Sequence, residues 1–332
     1  MGMIYRLRKL WTEVRPPTPT FVEKDLTDLS GKVYLVTGGS SGIGLELSRI
    51  LYHRGGRVFI AGRSEKAFLD AENDIKANPA KDLANAKKGT IEFVKIDLSD
   101  LTTVKSAATE ILCKTDRLDV VWYNAGVMLP PVGSKTKQGY ELQWGTNVVA
   151  HFLLNRFLSS VLIQTAALSA PGSVRAVWVS SSAHWWGPGP YGVNLDDPNY
   201  DKATKQPSVW HLYGQSKAGD ILLAHEFAKR VGDKGIVSVS LNPGNLRTAL
   251  QRNVGRFARF IANHLFLYPQ RFGALTEMFA GLAPQVAKAN GEFVIPWGRV
   301  ADMSPDVKNG LETANTGKIL WDILEKETEP YL

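Results

Sequence analysis

A glycine-rich turn between a strand and a helix constrains the fold of this 332-residue chain more than any other feature. The β-branched run Val33–Thr37 leads into the sequence GGSSGIG over 38–44, and a helical pattern follows over Leu45–Tyr52. Glycines there permit a tight turn and let the backbone and the helix approach a pyrophosphate closely. The helix N-terminus offers free N–H groups and the positive end of its dipole to an anion. We therefore expect a dinucleotide-binding turn, with cofactor contacts from Gly38, Ser40, Ser41, Gly42, Ile43 and Gly44.

Short apolar strands alternate with helix-length segments along the rest of the chain. This order predicts βαβ units and a parallel sheet that helices cover on both faces. We expect an α/β fold with a doubly wound parallel sheet, a Rossmann fold of about seven strands. The predicted strands are Val33–Thr37, Arg57–Ala61, Ile91–Ile96, Leu118–Tyr123, Val174–Ser180, Ile236–Leu241 and Glu292–Ile295.

The end of the second predicted strand favours NADP over NAD as the dinucleotide. An NAD site usually carries Asp or Glu there, which binds the ribose 2′-hydroxyl. Here Arg63 follows Gly62, and an arginine suits a 2′-phosphate through charge-assisted hydrogen bonds. Lys66 could add a second cation. Further cofactor contacts are expected where the third and fourth strands end, from Asp97, Leu98, Asn124, Ala125 and Gly126.

A tyrosine and a lysine four residues apart are the candidates for proton transfer. Tyr213 and Lys217 share one face of a predicted helix, where the ammonium favours the phenolate and lowers the pKa of the tyrosine. Three serines follow one another where the fifth strand ends, and a hydroxyl there can hydrogen-bond a substrate oxygen as negative charge develops. By position alone, Ser180, Ser181 and Ser182 compete for this role.

Taken together, these motifs resemble those of the short-chain dehydrogenase/reductase family. The resemblance covers about residues 29–296 and is greatest to the retinol-dehydrogenase-like branch, including fungal members of secondary metabolism. It implies a seven-stranded doubly wound sheet and an oxidoreductase that uses NADP(H). The motifs that carry it are TGGSSGIG over 37–44, Asn124-Ala125-Gly126, Asn147, Val179-Ser180-Ser181, Tyr213-Gly214-Gln215-Ser216-Lys217 and Asn242-Pro243-Gly244-Asn245-Leu246-Arg247-Thr248.

The resemblance assigns roles by position. The family's catalytic serine is the second of its Val-Ser-Ser triplet, Ser181 here, and Tyr213 corresponds to the general acid/base. Lys217 corresponds to the residue that holds the nicotinamide ribose, and Asn147 to the anchor of a proton-relay water. These roles imply hydride transfer from NADPH to a ketone or aldehyde, or the reverse oxidation of an alcohol, without a metal. The loop that holds the nicotinamide corresponds to Pro243, Gly244, Leu246 and Thr248.

Two aromatic-rich segments form the expected substrate side of a single domain. Segment 183–210 lies within an interval of 32 residues from Ser181 to Tyr213, longer than in most family members, and segment 248–272 is expected to be a C-terminal lid. Their rings favour a bulky lipophilic substrate, although any single ring could equally pack the core. Residues 1–30 are expected to form a basic N-terminal extension, and residues 31–332 the dehydrogenase domain.

An arginine-rich stretch in the lid segment leaves a second interpretation open. Over residues 250–265, apolar side chains share one helix face and three arginines share the other, so this helix could lie on an anionic membrane instead of covering the substrate. The alternatives are therefore a membrane-associated lipid or sterol dehydrogenase, or an NADP-sensing protein without turnover. Predicted helices over 139–168 and 213–231 correspond to those that pair across subunits in many relatives, so a homodimer is compatible with the sequence.

Composition excludes several other classes of protein. With 44% hydrophobic and 21% charged residues, the chain can form a sizeable core. One cysteine excludes an internal disulfide and a cysteine-based metal site, and the six histidines lack metal-ligand spacing. Every eighteen-residue apolar window carries a charge and the start lacks a signal-peptide core, which favours a cytoplasmic protein with at most peripheral membrane contact. The net charge of +7 alone does not support nucleic-acid binding.

Overall fold

A single eight-stranded sheet runs through the computed structural model, which describes residues 11–83, 86–205, 207–247 and 267–332. The strand order is β3-β2-β1-β4-β5-β6-β7-β8, with seven parallel strands and an antiparallel β8. The order reverses between β1 and β4, and ligands of such sheets bind beside that point at the carboxyl ends of the strands. The strands are β1 Val33–Thr37, β2 Arg57–Gly62, β3 Thr90–Lys95, β4 Val120–Tyr123, β5 Val174–Val179, β6 Ile236–Leu241, β7 Phe293–Ile295 and β8 Arg299–Ala301.

The predicted α/β fold and all seven predicted strands are confirmed, and the strand ends agree to within two residues. The eighth strand was not predicted. It has three residues, of which none is buried, so no apolar run marks it in the sequence. The glycine-rich turn also differs slightly from the prediction, because the first helix begins at Gly42 rather than at Leu45.

Helices cover both faces of the sheet and create two apolar cores. Leu35 and Val36 illustrate the reason: both are fully buried, but they belong to opposite cores because successive strand side chains point to opposite faces. Helices α1, α2 and α6 cover one core, and α3, α4, α5 and α8 the other. The helices are α1 Gly42–Tyr52, α2 Glu65–Ala77, α3 Thr102–Lys114, α4 Ala150–Ala167, α5 Val209–Val231, α6 Gln270–Leu282, α7 Pro305–Thr313 and α8 Thr316–Thr328.

Helix α4 continues a turn at Leu142–Trp144 and a π-helical segment at Gly145–Val149. The combined helix, Leu142–Ala167, is long and apolar enough to cross a membrane, but 72% of its most apolar stretch is buried inside the fold. This is the position of a core helix.

Part of the predicted N-terminal extension packs against the body of the fold. The ring of Phe21 meets Phe279 of α6 edge-on, with centroids 6.2 Å apart. The buried carboxylate of Glu23 pairs with Arg271, also of α6, at 2.5 Å. These contacts fix the chain that enters β1 against the helix that precedes β7.

Candidate active site

The glycine-rich turn packs directly against the segment that follows β4. Gly38 and Gly42 have φ angles of +70° and +60°, in the left-handed region that favours glycine. A Cβ atom on Gly44 would lie 2.6 Å from the Asn124 amide nitrogen, and one on Gly38 would lie 3.1 Å from the Cα atom of Ala125. Side chains at these two positions would therefore push the turn away from β4.

Thr37 ties the two strand ends together at the point where the strand order reverses. Its hydroxyl accepts hydrogen bonds from the backbone N–H groups of Asn124 and Ala125, both at 2.9 Å. The Asn124 amide donates in return to the Thr37 carbonyl at 2.7 Å. Asn124 therefore shapes the turn with its side chain. The start of α1 stays partly exposed, with Ser40, Ser41 and Ile43 at its surface.

Arg63 lies at the rim of a cavity of about 280 Å³ beside the ends of β2 and β3. Lys95 and Asp97 line the same cavity, together with Thr103 of α3. The predicted second cation, Lys66, is instead 85% exposed and paired with Asp70 at 2.9 Å. Lys95 is thus the cation that shares the cavity with Arg63, and sequence reasoning missed it.

Asp97 lines this cavity, whereas Leu98 is not among the residues that line it. One carboxylate oxygen of Asp97 accepts hydrogen bonds from the backbone N–H and the hydroxyl of Ser99, at 2.9 and 2.7 Å. Leu98 is buried, with 6% of its surface exposed, and belongs to the apolar core.

The serines after β5 have separate tasks. The Ser180 hydroxyl donates to the Lys217 carbonyl at 2.6 Å and is buried, so it is used in holding α5 against the sheet. The Ser181 hydroxyl lies close enough to Tyr213 to lower the pKa of the phenol, and its oxygen accepts a hydrogen bond from the backbone N–H of Ala183 at 3.1 Å. Of the three competing serines, Ser181 is the one that the structure brings to Tyr213.

Lys217 lies beside the Tyr213 ring and is held by two acceptors. Its Nζ atom is 5.9 Å from the ring centroid. It donates to the Val179 carbonyl at 2.7 Å and to the carboxylate of Asp220 at 2.9 Å. Since an ammonium has three N–H donors, these acceptors leave one for another partner. A Cβ atom on Gly126 would lie 3.8 Å from Nζ, so glycine keeps the space beside the ammonium open.

Burial and charge act in opposite directions on the Tyr213 phenol. Burial raises its pKa above the ordinary value, while the Lys217 ammonium and the nearby Ser181 hydroxyl lower it. The contribution of Lys217 has the predicted sign, but burial outweighs it. Burial lowers the pKa of Lys217, but Asp220 and Tyr213 raise it by more. The pKa of the lysine is therefore above its ordinary value, and the side chain stays protonated.

Asn147 connects the loop after β4 with α5 from inside the π-helical segment. Its Oδ1 atom accepts from the Val127 N–H at 2.8 Å, and its amide donates to the Val127 carbonyl at 3.1 Å and to the Ser216 hydroxyl at 3.0 Å. The side chain is fully buried. A Cβ atom on Gly126 would lie 3.1 Å from its Oδ1 atom, so Asn147 and Lys217 border the same space.

Two further buried residues support this cluster, and the sequence analysis missed both. His151 contacts the Asn147 carbonyl through Nδ1 at 3.0 Å and the Thr37 hydroxyl through Nε2 at 3.1 Å. Burial lowers its pKa to about 3, so the ring is neutral, and Nδ1 carries the proton because a carbonyl only accepts. The second residue is Asp220. Burial raises the pKa of its carboxyl to about 7, although the Lys217 ammonium lowers it. Their helical spacing, four residues after Asn147 and three after Lys217, is the only sequence signal.

The loop after β6 lies at the same edge of the sheet as the loops after β1, β4 and β5. Gly244 has a φ angle of +100°, and a Cβ atom on it would lie 2.6 Å from the Trp297 ring, so the loop after Pro243 lies tightly against that ring. Leu246 reaches the start of α1, because both Leu246 and Ile43 approach Gly273 of α6. Thr248, the predicted helix over 250–265 and most of the predicted lid lie outside the described residues.

The long segment before α5 is anchored by a residue of the Tyr213 motif. The Gln215 amide donates to the Pro198 carbonyl at 2.7 Å and accepts from the Asn194 N–H at 3.0 Å. A cavity of about 140 Å³ lies between this segment and the loop after β4, lined among others by Pro130, Val132 and Leu212. Within the described residues, no group of three or more His, Cys, Asp and Glu side chains could hold a metal ion.

These strand ends therefore present a glycine-rich turn before α1 and, further along the same edge, a buried tyrosine and lysine beside a partly exposed serine. Such an edge can hold a dinucleotide and move a proton beside it. Comparison with known proteins points the same way. A family model described as short chain dehydrogenase matches residues 32–184.

Curated relatives match over nearly the whole chain. A short-chain dehydrogenase/reductase of the fungus Armillaria gallica is 39% identical over 324 residues, covering 97% of this chain and 98% of the relative. The short-chain dehydrogenase/reductase pkfC of Emericella nidulans is 39% identical over 322 residues, covering 96% and 98%. Among solved structures, an uncharacterised protein of Mycobacterium paratuberculosis has a TM-score of 0.70 at 26% identity, covering 94% of this chain and 98% of its own.

Proposed function

The chain belongs to the short-chain dehydrogenase/reductase family of oxidoreductases, and within that family we propose that it is an NADP(H)-dependent enzyme that interconverts a bulky apolar ketone or aldehyde and its alcohol. The observation that carries this proposal is the contact of Ser181 with Tyr213 beside Lys217 and the open space at Gly126. An acid/base tyrosine, a hydroxyl donor and a fixed ammonium there match the needs of carbonyl reduction.

The residues at the strand ends fit a dinucleotide. The left-handed turn at Gly38 and Gly42 and the start of α1 suit a pyrophosphate, and the space that a Cβ atom on Gly126 would fill suits the nicotinamide end. Arg63 and Lys95, at the cavity beside the ends of β2 and β3, would hold a 2′-phosphate. When bound, NADPH supplies the hydride that reduces the carbonyl carbon.

Tyr213 and Ser181 act on the carbonyl oxygen in this mechanism. Both hydroxyls donate hydrogen bonds to the oxygen, and the Tyr213 Oη–H proton moves to it as the hydride reaches carbon, so that one hydride and one proton give the alcohol. The ammonium of Lys217 stabilises the phenolate that remains. In alcohol oxidation the same phenolate accepts the proton.

Asn147 and Lys217 keep this geometry rigid. Asn147 uses three hydrogen bonds to hold the Val127 backbone and the Ser216 hydroxyl, so the loop after β4 and helix α5 stay at a fixed distance. Lys217 is fixed at the β5 end by the Val179 carbonyl. A site with such support orients its donors before substrate arrives, which is the main source of electrostatic catalysis.

The surroundings of Tyr213 support a lipophilic substrate. Trp186 follows the Ser181 segment with 53% of its surface exposed, and Trp210 lies in the first turn of α5 with 50% exposed. A Cβ atom on Gly214, one helical turn after Trp210, would lie 2.8 Å from the Trp186 backbone, so the two tryptophans border the same region. Large exposed rings beside a site commonly bind apolar ligands.

Turnover with both cofactors and a size series of ketones and aldehydes tests the proposal. We expect NADPH consumption with bulky members, and little consumption of NADH.

Tyr213→Phe should lower kcat at least about a hundredfold while NADPH still binds, because only the proton donor is lost. Tyr331→Phe, at the far C-terminus, is the matched control. A Tyr213→Phe enzyme with the wild-type rate would overturn the assignment of the acid/base. Tight NADPH binding without turnover of any carbonyl or alcohol would favour the sensor instead.

A further inference from the structure

The N-terminal arm, residues 11–15, reaches the loop that follows β6. A single helical turn over 11–14 places the carboxylate of Glu13 against Asn242, whose amide donates to it at 2.6 Å. The two residues are 229 positions apart in the chain. Glu13 is 4% exposed and Asn242 is 2% exposed, so this hydrogen bond is shielded from water.

Glu13 determines which way the Asn242 amide points. A carboxylate accepts hydrogen bonds and does not donate, so the NH2 group of Asn242 must face Glu13. The amide oxygen then faces the other way, where it accepts from the Gly244 N–H at 3.0 Å. The Asn242 backbone is itself fixed to the Val294 carbonyl at 2.8 Å. One arm residue thus sets the hydrogen bond that shapes the turn at Gly244.

A second contact of the arm supports the other side of this loop. Arg299 donates to the Thr12 carbonyl at 2.8 Å and also to the Pro296 carbonyl. The next residue after Pro296 is Trp297, the ring against which Gly244 packs. Burial lowers the pKa of Arg299, and the Glu13 carboxylate opposes that effect, so the arm brings a compensating charge as well as a hydrogen bond.

We propose that Glu13 is a positioning residue of the cofactor site, which holds the loop Asn242-Pro243-Gly244 in its binding conformation through the Asn242 amide. This inference rests on the proposed function and on the family resemblance, which assigns that loop to the nicotinamide. It gives the N-terminal arm a function in cofactor binding, although the arm precedes the dinucleotide-binding turn in sequence and lies beyond the residues that the family model matches.

Dinucleotide affinity of full-length variants tests the role of Glu13. We expect Glu13→Ala to weaken NADPH binding about tenfold in a fluorescence titration, because a buried charge-assisted hydrogen bond is lost. Glu13→Gln should restore most of the affinity, since its side-chain carbonyl accepts the same hydrogen bond. Trp11→Ala is the matched control in the same turn, because Trp11 is 60% exposed, and it should bind as the wild type does.

Hydrogen exchange distinguishes this inference from a purely structural role of the arm. In a purely structural arm, the amides would exchange at the same rate with and without NADPH. Coupling between two sites is reciprocal, so NADPH should slow exchange of the Arg15 amide, which donates to the Trp11 carbonyl at 2.9 Å within the arm. This measurement uses the wild-type protein and does not depend on Glu13→Ala folding. Unchanged exchange on adding NADPH would overturn the inference.

Different results overturn the proposed function and this inference. Wild-type protein that binds neither NADPH nor NADH would overturn the proposed function, and this inference with it. Wild-type binding together with an unchanged affinity of Glu13→Ala would overturn this inference alone. A loss of affinity that Glu13→Gln fails to restore would also overturn it, because the hydrogen bond to Asn242 would then not be the cause.

Discussion

The ammonium of Lys217 donates to the carboxylate of Asp220 at 2.9 Å, and the two side chains are 7% and 3% exposed. A buried ion pair of this kind contributes little net stability, because the cost of desolvation offsets the attraction, but loss of one partner is costly. Here the pair lies next to Tyr213, and the charge of Asp220 raises the pKa of both the phenol and the ammonium. Asp220 therefore influences the pH at which the tyrosine can exchange its proton.

Asp220→Asn should shift the pH profile of alcohol oxidation to lower pH. The amide oxygen can still accept the hydrogen bond from Lys217, but the negative charge is gone, so the phenol loses a proton more easily. Because oxidation needs the phenolate, the rising limb of kcat against pH should move down. Asp233→Asn, at an exposed position in the turn after α5, serves as the control. A rising limb that stays in place or moves up would contradict the influence of Asp220 on Tyr213.

Glu277→Gln should raise thermal stability, and the gain should grow with pH. Glu277 is fully buried in α6, and among the residues that the structure describes neither carboxylate oxygen has a hydrogen-bond partner. Burial raises its pKa well above the ordinary 4.5. A carboxyl whose pKa is higher in the folded state favours folding below pH 4.5, and this contribution is lost as pH rises through the raised pKa. The neutral glutamine shows no such loss.

Melting temperatures of both proteins between about pH 4.5 and pH 8.5 measure this difference. At the acid end the protonated wild type and the variant should melt close together, and at the alkaline end the variant should melt higher. Glu312→Gln, on the surface of α7, should follow the wild type throughout. A Glu277→Gln advantage that is constant across the range would refute the ionisation of this carboxyl as the cause.

Local patterns explain why so much of this fold and site could be predicted. The turn at Gly38 and Gly42 needs left-handed backbone, and the strand-turn-helix context is contiguous, so a short window of sequence contains all the information. The contact of Tyr213 with Lys217 likewise depends only on helical spacing. The family resemblance then reduced three equivalent serines to Ser181, which is the one that meets the tyrosine.

Contacts made through the sheet or between distant segments could not be predicted in this way. Lys95 joins Arg63 because the register of β2 and β3 pairs Gly62 with Lys95, and a register is not legible in either strand alone. Glu13 meets Asn242 across 229 residues. Asp220 was overlooked for a different reason: a carboxylate in a helix is normally solvated, and only its burial makes it a partner of Lys217.

Trp321→Ala should destabilise the protein and expose the outer face of α4 and α5. The Trp321 ring stacks on Phe227 of α5 with centroids 5.9 Å apart and meets Phe152 of α4 edge-on at 4.8 Å. Helix α8 therefore packs against both α4 and α5. Truncation of a buried tryptophan costs about 3–5 kcal/mol.

Urea unfolding and light scattering measure both consequences of this change. The unfolding midpoint of Trp321→Ala should fall, and any folded variant should self-associate more than the wild type because apolar surface is uncovered. Ile319→Ala, two residues earlier in α8 and 43% exposed, should change neither quantity appreciably. An unchanged midpoint for Trp321→Ala would show that α8 does not hold this face.

Arg63→Ala and Lys95→Ala should each weaken NADPH binding while leaving NADH binding nearly unchanged. Both side chains line the cavity beside the ends of β2 and β3, where only NADPH would place a phosphate. A charge-assisted hydrogen bond contributes about 1.5–3 kcal/mol, which corresponds to a loss of about ten- to a hundredfold in affinity.

Lys66→Ala is the informative control. Lys66 pairs with Asp70 and lies outside the residues that line this cavity, so this variant should keep the wild-type affinity. Dissociation constants for both dinucleotides with all four proteins separate the cases. Equal losses of affinity for NADPH and NADH would mean that the two cations support the fold of the site and do not bind the 2′-phosphate. A loss of NADPH affinity in Lys66→Ala alone would mean that Lys66, the second cation that the sequence suggested, binds the phosphate instead.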